Sequence, residues 1–434
     1  MKIRILVLLS VVAASVFAQE PTPMDNPINY NPVSLASQFF EHNNYFNYYA
    51  LVNGVYDSYA PTYNTTTGQQ TNNGSFGYSV GGGLSAYHSF RKGALSLSYS
   101  GTYRNYNSPL FSNGTDQNLA LAYTRRLARR WTLGLSAGAG NVLYGTGYFG
   151  PASEGPNAIA TNPFSANTRY ASAGVSLAYQ QTRRLSYVVS GNFFLQRYSY
   201  VNAIGATGGS GNFGVNYRVT ARTTVSVNYG FSAFTYQSGS GDSRLNSINA
   251  SVSHLFPHNW LLSVNGGISH SNVSGFISIP VSALTGNVGA GGYVVGQYNS
   301  ASNFPSFGGT VTRRFRRFEF SASGGQSILS GNGYYLASRN QYLNGNYSKS
   351  FRRSNISFGG NWYRLKSAAN TVAYTYSAGG FGASYSYQLM RYVGSNFRYD
   401  WVRYGTLNPY PSITDNRLSF GLTFSSRSVP ITLY

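Results

Sequence analysis

Apolar and small polar residues alternate with a period of two through most of this sequence. In 75–86, Phe76, Tyr78, Val80 and Leu84 hold alternate positions, and serine and glycine hold most of the others. Successive side chains of a β-strand point to opposite faces, so the pattern predicts strands with one apolar and one polar face. The alternation recurs in 131–137, 185–190, 224–231, 260–265 and 418–424.

The connections between these stretches fall into two alternating classes. One class is short and mostly basic, at 90–93, 125–130, 181–184, 218–222, 256–259, 313–317, 351–354 and 389–392. The other is longer and rich in Gly, Asn, Ser and Pro, near 58–74, 105–116, 143–167, 199–210, 237–243, 275–304, 330–338, 367–372 and 404–415. The chain is therefore predicted to repeat a hairpin of two strands and a tight basic turn, followed by a long loop.

Counting the hairpins predicts the fold class. The short turns give sixteen strands, and stretches near 46–57 and 416–425 add two more. An even strand number with both ends on the short-turn side is typical of a closed barrel in a membrane. We therefore predict an all-β, transmembrane antiparallel up-and-down β-barrel of about 18 strands (16–18), with short periplasmic turns and long extracellular loops.

A β-propeller is the alternative that a repeat of roughly forty residues leaves open. Propeller blades hold four strands, whereas this unit holds two long ones.

The size of the barrel indicates which face of the strands is outside. A barrel of about eighteen strands is too wide for side chains to fill, so a polar, wet lumen and an apolar outer face are expected.

The composition agrees with this class and suggests export. Charged residues make up 9% and aromatic residues 16% of the chain, and cysteine is absent. Lys2 and Arg4 precede a short apolar run from Ile5 to Phe17, and Ala18 follows at a plausible cleavage point. This is typical of a cleaved signal peptide rather than a membrane anchor. The predicted organisation is a signal peptide at 1–18, a periplasmic N-terminal segment at 19–45, the barrel at 46–425 and a C-terminal tail at 426–434.

The architecture over 46–425 resembles the general porins and related outer-membrane barrels of Gram-negative bacteria, although no family-specific motif is present. The resemblance implies a location in the outer membrane, insertion by the barrel-assembly machinery and a homotrimer. Such barrels often end on a phenylalanine that assists assembly. Here either Phe424 or the terminal Tyr434 would serve as that signal.

The phase of each strand predicts which side chains line the lumen. The candidates are Ser79, Ser136, Ser190, Asn228, Asn265, Asn361, Asn396, Arg398 and Asp400. Loop 143–167 corresponds to the loop that folds inward in the resembled porins. Loop 275–304 is unusually apolar, and inward folding would bury its side chains; an external cap or adhesive tip is the alternative. Its constriction candidates are Phe276, Ile277, Ile279, Val281 and Leu284.

The net charge of +21 is concentrated at the short turns. A ring at one rim, without a groove of interleaved aromatics, argues against nucleic acid as a partner. The ring would keep the turns solvated, attract anionic lipid headgroups or concentrate anions at the periplasmic mouth. This predicted periplasmic basic rim consists of Arg91, Lys92, Arg125, Arg126, Arg129, Arg130, Arg183, Arg184, Arg313, Arg314, Arg316, Arg317, Arg352 and Arg353.

Aromatic residues near the short turns are expected to form a membrane-interface girdle rather than to be generic strand aromatics. These are Tyr123, Trp131, Tyr179, Tyr187, Tyr217, Trp260, Tyr387 and Tyr392.

The sequence gives no sign of an enzyme or a cofactor. None of the five histidines has an evident carboxylate or nucleophile to pair with, and no metal-ligand spacing is present. The leading hypothesis is a porin-like channel for passive diffusion of small hydrophilic solutes. With few acids in the chain, we expect a more positive lumen, and so neutral or weakly anion-preferring passage. The alternatives are a structural or adhesive barrel whose lumen its loops close, and an export pore of a secretion or exopolysaccharide system.

Overall fold

A computed structural model describes most of the chain between residues 44 and 426. The described ranges are 44–63, 70–107, 113–143, 167–198, 205–237, 241–280, 293–315, 317–330, 337–367, 375–404 and 413–426. The predicted signal peptide, nearly all of the predicted N-terminal segment and residues 427–434 of the predicted tail lie outside them. No helix in these ranges is long and apolar enough to span a membrane.

The described chain forms a single antiparallel sheet of 18 strands, as the hairpin count predicted. In chain order these are β1 (Asn44–Tyr63), β2 (Gln70–Phe90), β3 (Gly93–Tyr106), β4 (Gly114–Arg126), β5 (Trp131–Leu143), β6 (Asn167–Gln180), β7 (Leu185–Tyr198), β8 (Ala206–Arg218), β9 (Thr223–Tyr236), β10 (Gly241–Phe256), β11 (Trp260–Pro280), β12 (Tyr293–Arg314), β13 (Phe318–Ser330), β14 (Ala337–Ser350), β15 (Ser354–Ser367), β16 (Thr375–Met390), β17 (Val393–Tyr404) and β18 (Ile413–Ser425).

Pairing of the first strand with the last closes the sheet. β1 pairs with β18 from Tyr49↔Ser425 to Asp57↔Arg417, and each other strand pairs with its neighbours in sequence. Just past β18, the backbone of Ser426 donates to the carbonyl oxygen of Tyr48 at 2.8 Å. Closure leaves no unpaired edge, which a lipid environment would penalise.

Local hydrogen bonds shape the short turns. The backbone N–H groups of Arg184 and Leu185 donate to Thr182 Oγ1 at 3.2 and 3.0 Å, and Thr220 does the same for the next short turn. Such side-chain acceptors replace backbone partners in tight turns. At 257–259, His258 and Asn259 adopt left-handed φ angles of 62° and 61° after Pro257.

The longest predicted loop is mostly strand in the structure, which corrects the prediction for 275–304. β11 continues to Pro280 and β12 begins at Tyr293, so Phe276, Ile277 and Ile279 lie in a strand rather than in a loop. The β11–β12 ladder runs to Pro280↔Tyr293 because the segment still alternates and is rich in β-branched residues. Val281 and Leu284 lie outside the described residues, as does most of loop 143–167.

The two faces of the sheet differ in chemistry as the alternation predicts. Large apolar side chains are exposed on the outward face, for example Ile268 at 65% and Phe420 at 60%. Their strand neighbours on the inward face are mostly Ser, Asn, Gly and Thr. The exposed apolar side chains therefore form a band around the outside of the barrel, with polar groups within.

Candidate pore lining and internal charge cluster

All nine predicted lumen residues lie on the inward face. Their positions alternate with exposed apolar neighbours, such as Leu135 beside Ser136 and Phe397 beside Asn396. The degree of exposure differs among them. Ser136 is exposed within the barrel, whereas Ser79 is fully buried and lies 3.4 Å from the Asn53 amide nitrogen. The inward residues are thus Ser79, Ser136, Ser190, Asn228, Asn265, Asn361, Asn396, Arg398 and Asp400.

A group of charged side chains lies on the inward face of five strands, β17, β18, β1, β3 and β4, in one stretch of the wall. We refer to it as the internal charge cluster; its members are Asp57, Arg104, Asp116, Arg398, Asp400, Asp415 and Arg417. It lies in the half of the barrel nearer the long connections. Arg104 is two residues from the end of β3, and Asp116 and Asp415 are two residues from the starts of β4 and β18.

Strand register brings opposite charges together in this cluster. Asp57 and Arg417 are directly paired across the closing seam, and Arg417 is also paired with Asp400 on β17. The guanidinium of Arg417 binds two carboxylates, with Nε 2.7 Å from Asp57 Oδ2 and Nη2 2.7 Å from Asp415 Oδ2. Arg104 and Asp116 form an ion pair on β3 and β4.

The fourth contact joins Arg398 to Asp400 along one strand, with Nε 2.6 Å from Oδ2. Both side chains are inward-facing and largely buried. Buried charges need this kind of partner, since removing an ion from water costs several kcal/mol.

The composition of the internal charge cluster bears on the predicted positive lumen, which stays a prediction. The internal charge cluster holds four aspartates and three arginines, so it has no basic excess. Although acids are scarce in the chain, strand phase places Asp57, Asp116 and Asp415 on the inward face, where they offset the arginines. The other arginines near the long connections, at 169, 197, 244, 339, 364 and 403, lie on the outward face.

Much of the remaining wall is lined by uncharged polar groups that bond to one another across strands. Ser306 Oγ donates to Asn249 Oδ1 at 2.6 Å, and the Ser253 and Ser263 hydroxyls are 2.9 Å apart. The Ser357 and Ser384 hydroxyls are 2.6 Å apart in the same way. These contacts fix short side chains against the wall.

Burial of the inward side chains increases toward the long connections. Near the short turns, Ser136 and Thr310 are exposed to the lumen. Near the long connections, Phe234 is 2% and Val273 is 1% exposed, although both point inward. Phe194 and Phe234 pack with ring centroids 5.0 Å apart. The lumen is therefore more filled in the half nearer the long connections.

The structure places the predicted basic rim at the short turns, on the same side as both ends of the barrel. Most of these side chains are exposed. Arg313 instead packs on aromatic rings, 4.7 Å from the Trp260 centroid and 4.4 Å from that of Phe315. Arg316 and the side chain of Arg314 lie outside what the structure describes.

The predicted girdle aromatics lie on or near the outward face close to the same turns. Trp131 and Tyr179 pack with centroids 4.5 Å apart, and Tyr179 and Tyr187 stack at 6.3 Å. Indole and phenol rings combine an apolar body with a polar tip, which suits the boundary between lipid and water.

A closed 18-stranded barrel with an apolar outside and a polar inside is a porin-like outer-membrane β-barrel. The predicted absence of a metal cofactor stays a prediction. Among the residues that the structure describes, no group of three or more His, Cys, Asp or Glu side chains could hold a metal ion.

Comparisons with known proteins add little beyond the fold. No protein-family model and no curated protein sequence matches the chain. Among solved structures, the outer membrane protein opdK from Pseudomonas aeruginosa is similar with a TM-score of 0.43 at 12% identity, covering 88% of this chain and 99% of that chain. A BenF-like porin from Pseudomonas fluorescens Pf-5 gives 0.42 at 12%, covering 88% and 99%. The FrpB iron transporter from Neisseria meningitidis gives 0.42 at 9%, covering 89% and 82%. At such low similarity, neither substrate nor mechanism transfers to this chain.

Proposed function

We propose that this chain is an outer-membrane channel for the passive diffusion of small hydrophilic solutes. The main support for this proposal is the composition of the inward face, where Ser, Asn, Gly and Thr line a barrel of 18 strands. A barrel of this width encloses more volume than its wall side chains fill, and a polar wall favours water there.

We further propose that passage is neutral or weakly anion-preferring. The basic rim supports this proposal because it raises the local concentration of anions at the mouth with the short turns. The internal charge cluster opposes any strong preference because its aspartates and arginines nearly balance. Because each arginine of the cluster is paired with a carboxylate, the electric field along that wall runs over the short distance between the paired groups.

A loop-closed barrel with a structural or adhesive role is the second candidate. The burial of Phe234, Val273 and other inward side chains near the long connections favours it. The two candidates differ in one measurable property, which is whether solutes cross.

Swelling of proteoliposomes in neutral sugars of increasing size tests the channel. The refolded full chain should admit small sugars and exclude large ones. Ser136→Trp places a large ring in the exposed part of the lumen and should slow swelling, because the free cross-section falls. Leu135→Trp, its neighbour on the lipid-facing side, is the matched control and should leave the rate unchanged.

Two results would count against the proposal. Folded protein that admits no sugar would favour the loop-closed barrel. Equal effects of the two tryptophan variants would mean that solutes do not pass along the wall at Ser136.

A further inference from the structure

Seven basic side chains lie on the outward face near the long connections. We call them the outer basic belt: Arg169, Arg197, Arg244, Arg339, Arg364, Lys366 and Arg403. Each shares its strand phase with an exposed apolar residue. Arg197, for example, is four residues from Phe193, which is 51% exposed, and Arg339 is four residues from Leu343, which is 60% exposed.

The belt lies at the membrane boundary opposite the short turns. A tilted transmembrane strand crosses the apolar layer in about 9–11 residues. Arg197 is 12 residues along from Leu185, the first residue of β7, and Arg364 is 10 residues along from Ser354, the first residue of β15. These side chains therefore lie where lipid headgroups begin in the leaflet on the long-connection side.

Strand register places like charges directly opposite each other in two parts of the belt. Arg169 on β6 pairs with Arg197 on β7, and both side chains are exposed. Arg339 on β14 pairs with Lys366 on β15, with Arg364 two residues away on the same face. Directly opposed side chains have Cβ atoms about 4.5–5.5 Å apart, where like charges repel.

The described strands supply little negative charge to offset this repulsion. Asp57, Asp116, Glu319, Asp400 and Asp415 all point inward. On the outward face of the described strands, Asp242 on β10 is the remaining acid, and β10 adjoins neither pair. The connections 331–336 and 368–374, which adjoin the second pair, contain no acidic residue in the sequence. Arg339 Nε donates to a neutral group, Gln326 Oε1, at 2.9 Å.

We infer that the outer basic belt binds the phosphate groups of lipopolysaccharide in the outer leaflet. A phosphate held between two opposed basic side chains replaces their repulsion by two charge-assisted hydrogen bonds, and arginine binds phosphate through two parallel N–H groups. The exposed apolar side chains below each pair would contact the acyl chains of the same lipid. This inference does not depend on whether solutes cross the lumen.

The test measures the thermal unfolding of the refolded full chain in an uncharged detergent, with and without added lipid A. Bisphosphorylated lipid A should raise the unfolding temperature, and dephosphorylated lipid A should not. Each basic residue near an anionic membrane surface changes binding by about fivefold. Arg169→Gln with Arg197→Gln, and separately Arg339→Gln with Lys366→Gln, should therefore weaken lipid A binding by about fivefold for each residue changed.

Matched controls come from the other ends of the same two hairpins. Arg183→Gln with Arg184→Gln, and Arg352→Gln with Arg353→Gln, remove equal charge at the short turns and should leave lipid A binding unchanged. Without lipid, the belt variants should unfold at the same temperature as the unchanged protein or at a higher one, because repulsion has been removed. An unfolding temperature that is not lowered also shows that the variants fold.

Three outcomes would overturn the inference. One is equal stabilisation by phosphorylated and dephosphorylated lipid A. Another is an equal loss of binding in the short-turn controls. The third is full stabilisation by inorganic phosphate alone, which would assign the belt to a free anion rather than to a lipid.

Discussion

Arg417 is the residue on which the internal charge cluster most depends. It binds Asp57 and Asp415, whose side chains are 0% and 1% exposed. The guanidinium supplies the opposite charge that two carboxylates at such depth need, since removing an ion from water costs several kcal/mol. The pair Asp57–Arg417 also spans the seam between the first and last strands, so the cluster contributes to closure of the barrel.

Replacing Arg417 by methionine should therefore destabilise the barrel strongly. Removing one partner of a buried ion pair typically costs about 3–5 kcal/mol. Urea unfolding, monitored by the heat-dependent gel mobility of the barrel, would measure the loss of unfolding free energy. Arg184→Gln, an exposed turn arginine, should change stability by less than about 0.5 kcal/mol. Equal effects of the two substitutions would show that Asp57 and Asp415 do not need this guanidinium.

Gly421 is a second residue whose replacement tests the seam. It pairs with Asn53, and a Cβ built there would overlap the Asn53 side chain and lie 2.6 Å from the Val52 carbonyl oxygen. Gly421→Val should cost about 1–3 kcal/mol through overpacking. Gly266→Ala is the control because a Cβ at that position meets nothing within 4 Å. The yield of folded, heat-modifiable protein would separate the two, and similar yields would contradict the packing at the seam.

At the scale of elements, the β12–β13 contact differs from its neighbours. Its ladder stops at Phe307↔Gln326, although both strands continue beyond that point and β12 remains paired with β11. Pro305 lies two residues past the last pair and has no N–H to donate. The Gln326 side chain donates to the Pro305 carbonyl oxygen at 2.7 Å, in the place of a backbone N–H from the neighbouring strand.

Pro305→Ala should lengthen this ladder by restoring the missing donor. We expect the amide hydrogen of Ile328, which lies opposite position 305, to exchange more slowly in the variant, with little change at Ala322, which is already paired with Val311. Hydrogen exchange read by mass spectrometry would show the difference. Unchanged exchange at Ile328 would mean that something other than the proline ends the pairing.

Some parts of the fold can be predicted from the periodicity of the sequence, and others cannot. The hairpin count gave the observed 18 strands, because turn composition and two-residue alternation are local properties. The prediction of a loop over 275–304 is wrong at both of its ends. Gly, Asn and Ser dominate part of the segment, but Phe276 and Ile279 belong to a ladder. In the site, the phase of β17 alone is enough to assign Arg398 and Asp400 to the inward face. The ion pairs Asp57–Arg417 and Arg104–Asp116 depend on register between strands, which no single strand encodes.

For the whole molecule, the two mouths of the barrel differ. Near the short turns, basic side chains surround a lumen in which Ser136 and Thr310 are exposed. Near the long connections, the internal charge cluster and the buried Phe234 and Val273 occupy the wall. Resistance to solute flow should therefore be concentrated in the half nearer the long connections.

That asymmetry predicts which substitutions change conductance. Asp400→Asn leaves Arg398 without its carboxylate partner and adds positive charge to the filled half, so it should shift selectivity toward anions. Asp242→Asn, on the outward face, should leave selectivity unchanged. Reversal potentials in a salt gradient would measure both, and equal shifts would mean that charge in the filled half does not control ion passage.

The measurement that tests the proposed channel most directly is single-channel conductance of the refolded full chain in planar bilayers under a KCl gradient. We predict discrete steps on the order of a nanosiemens, with a reversal potential near zero or slightly on the anion side. A folded, heat-modifiable barrel that inserts and gives no steps would contradict an open lumen, and the chain would then be assigned to the loop-closed class.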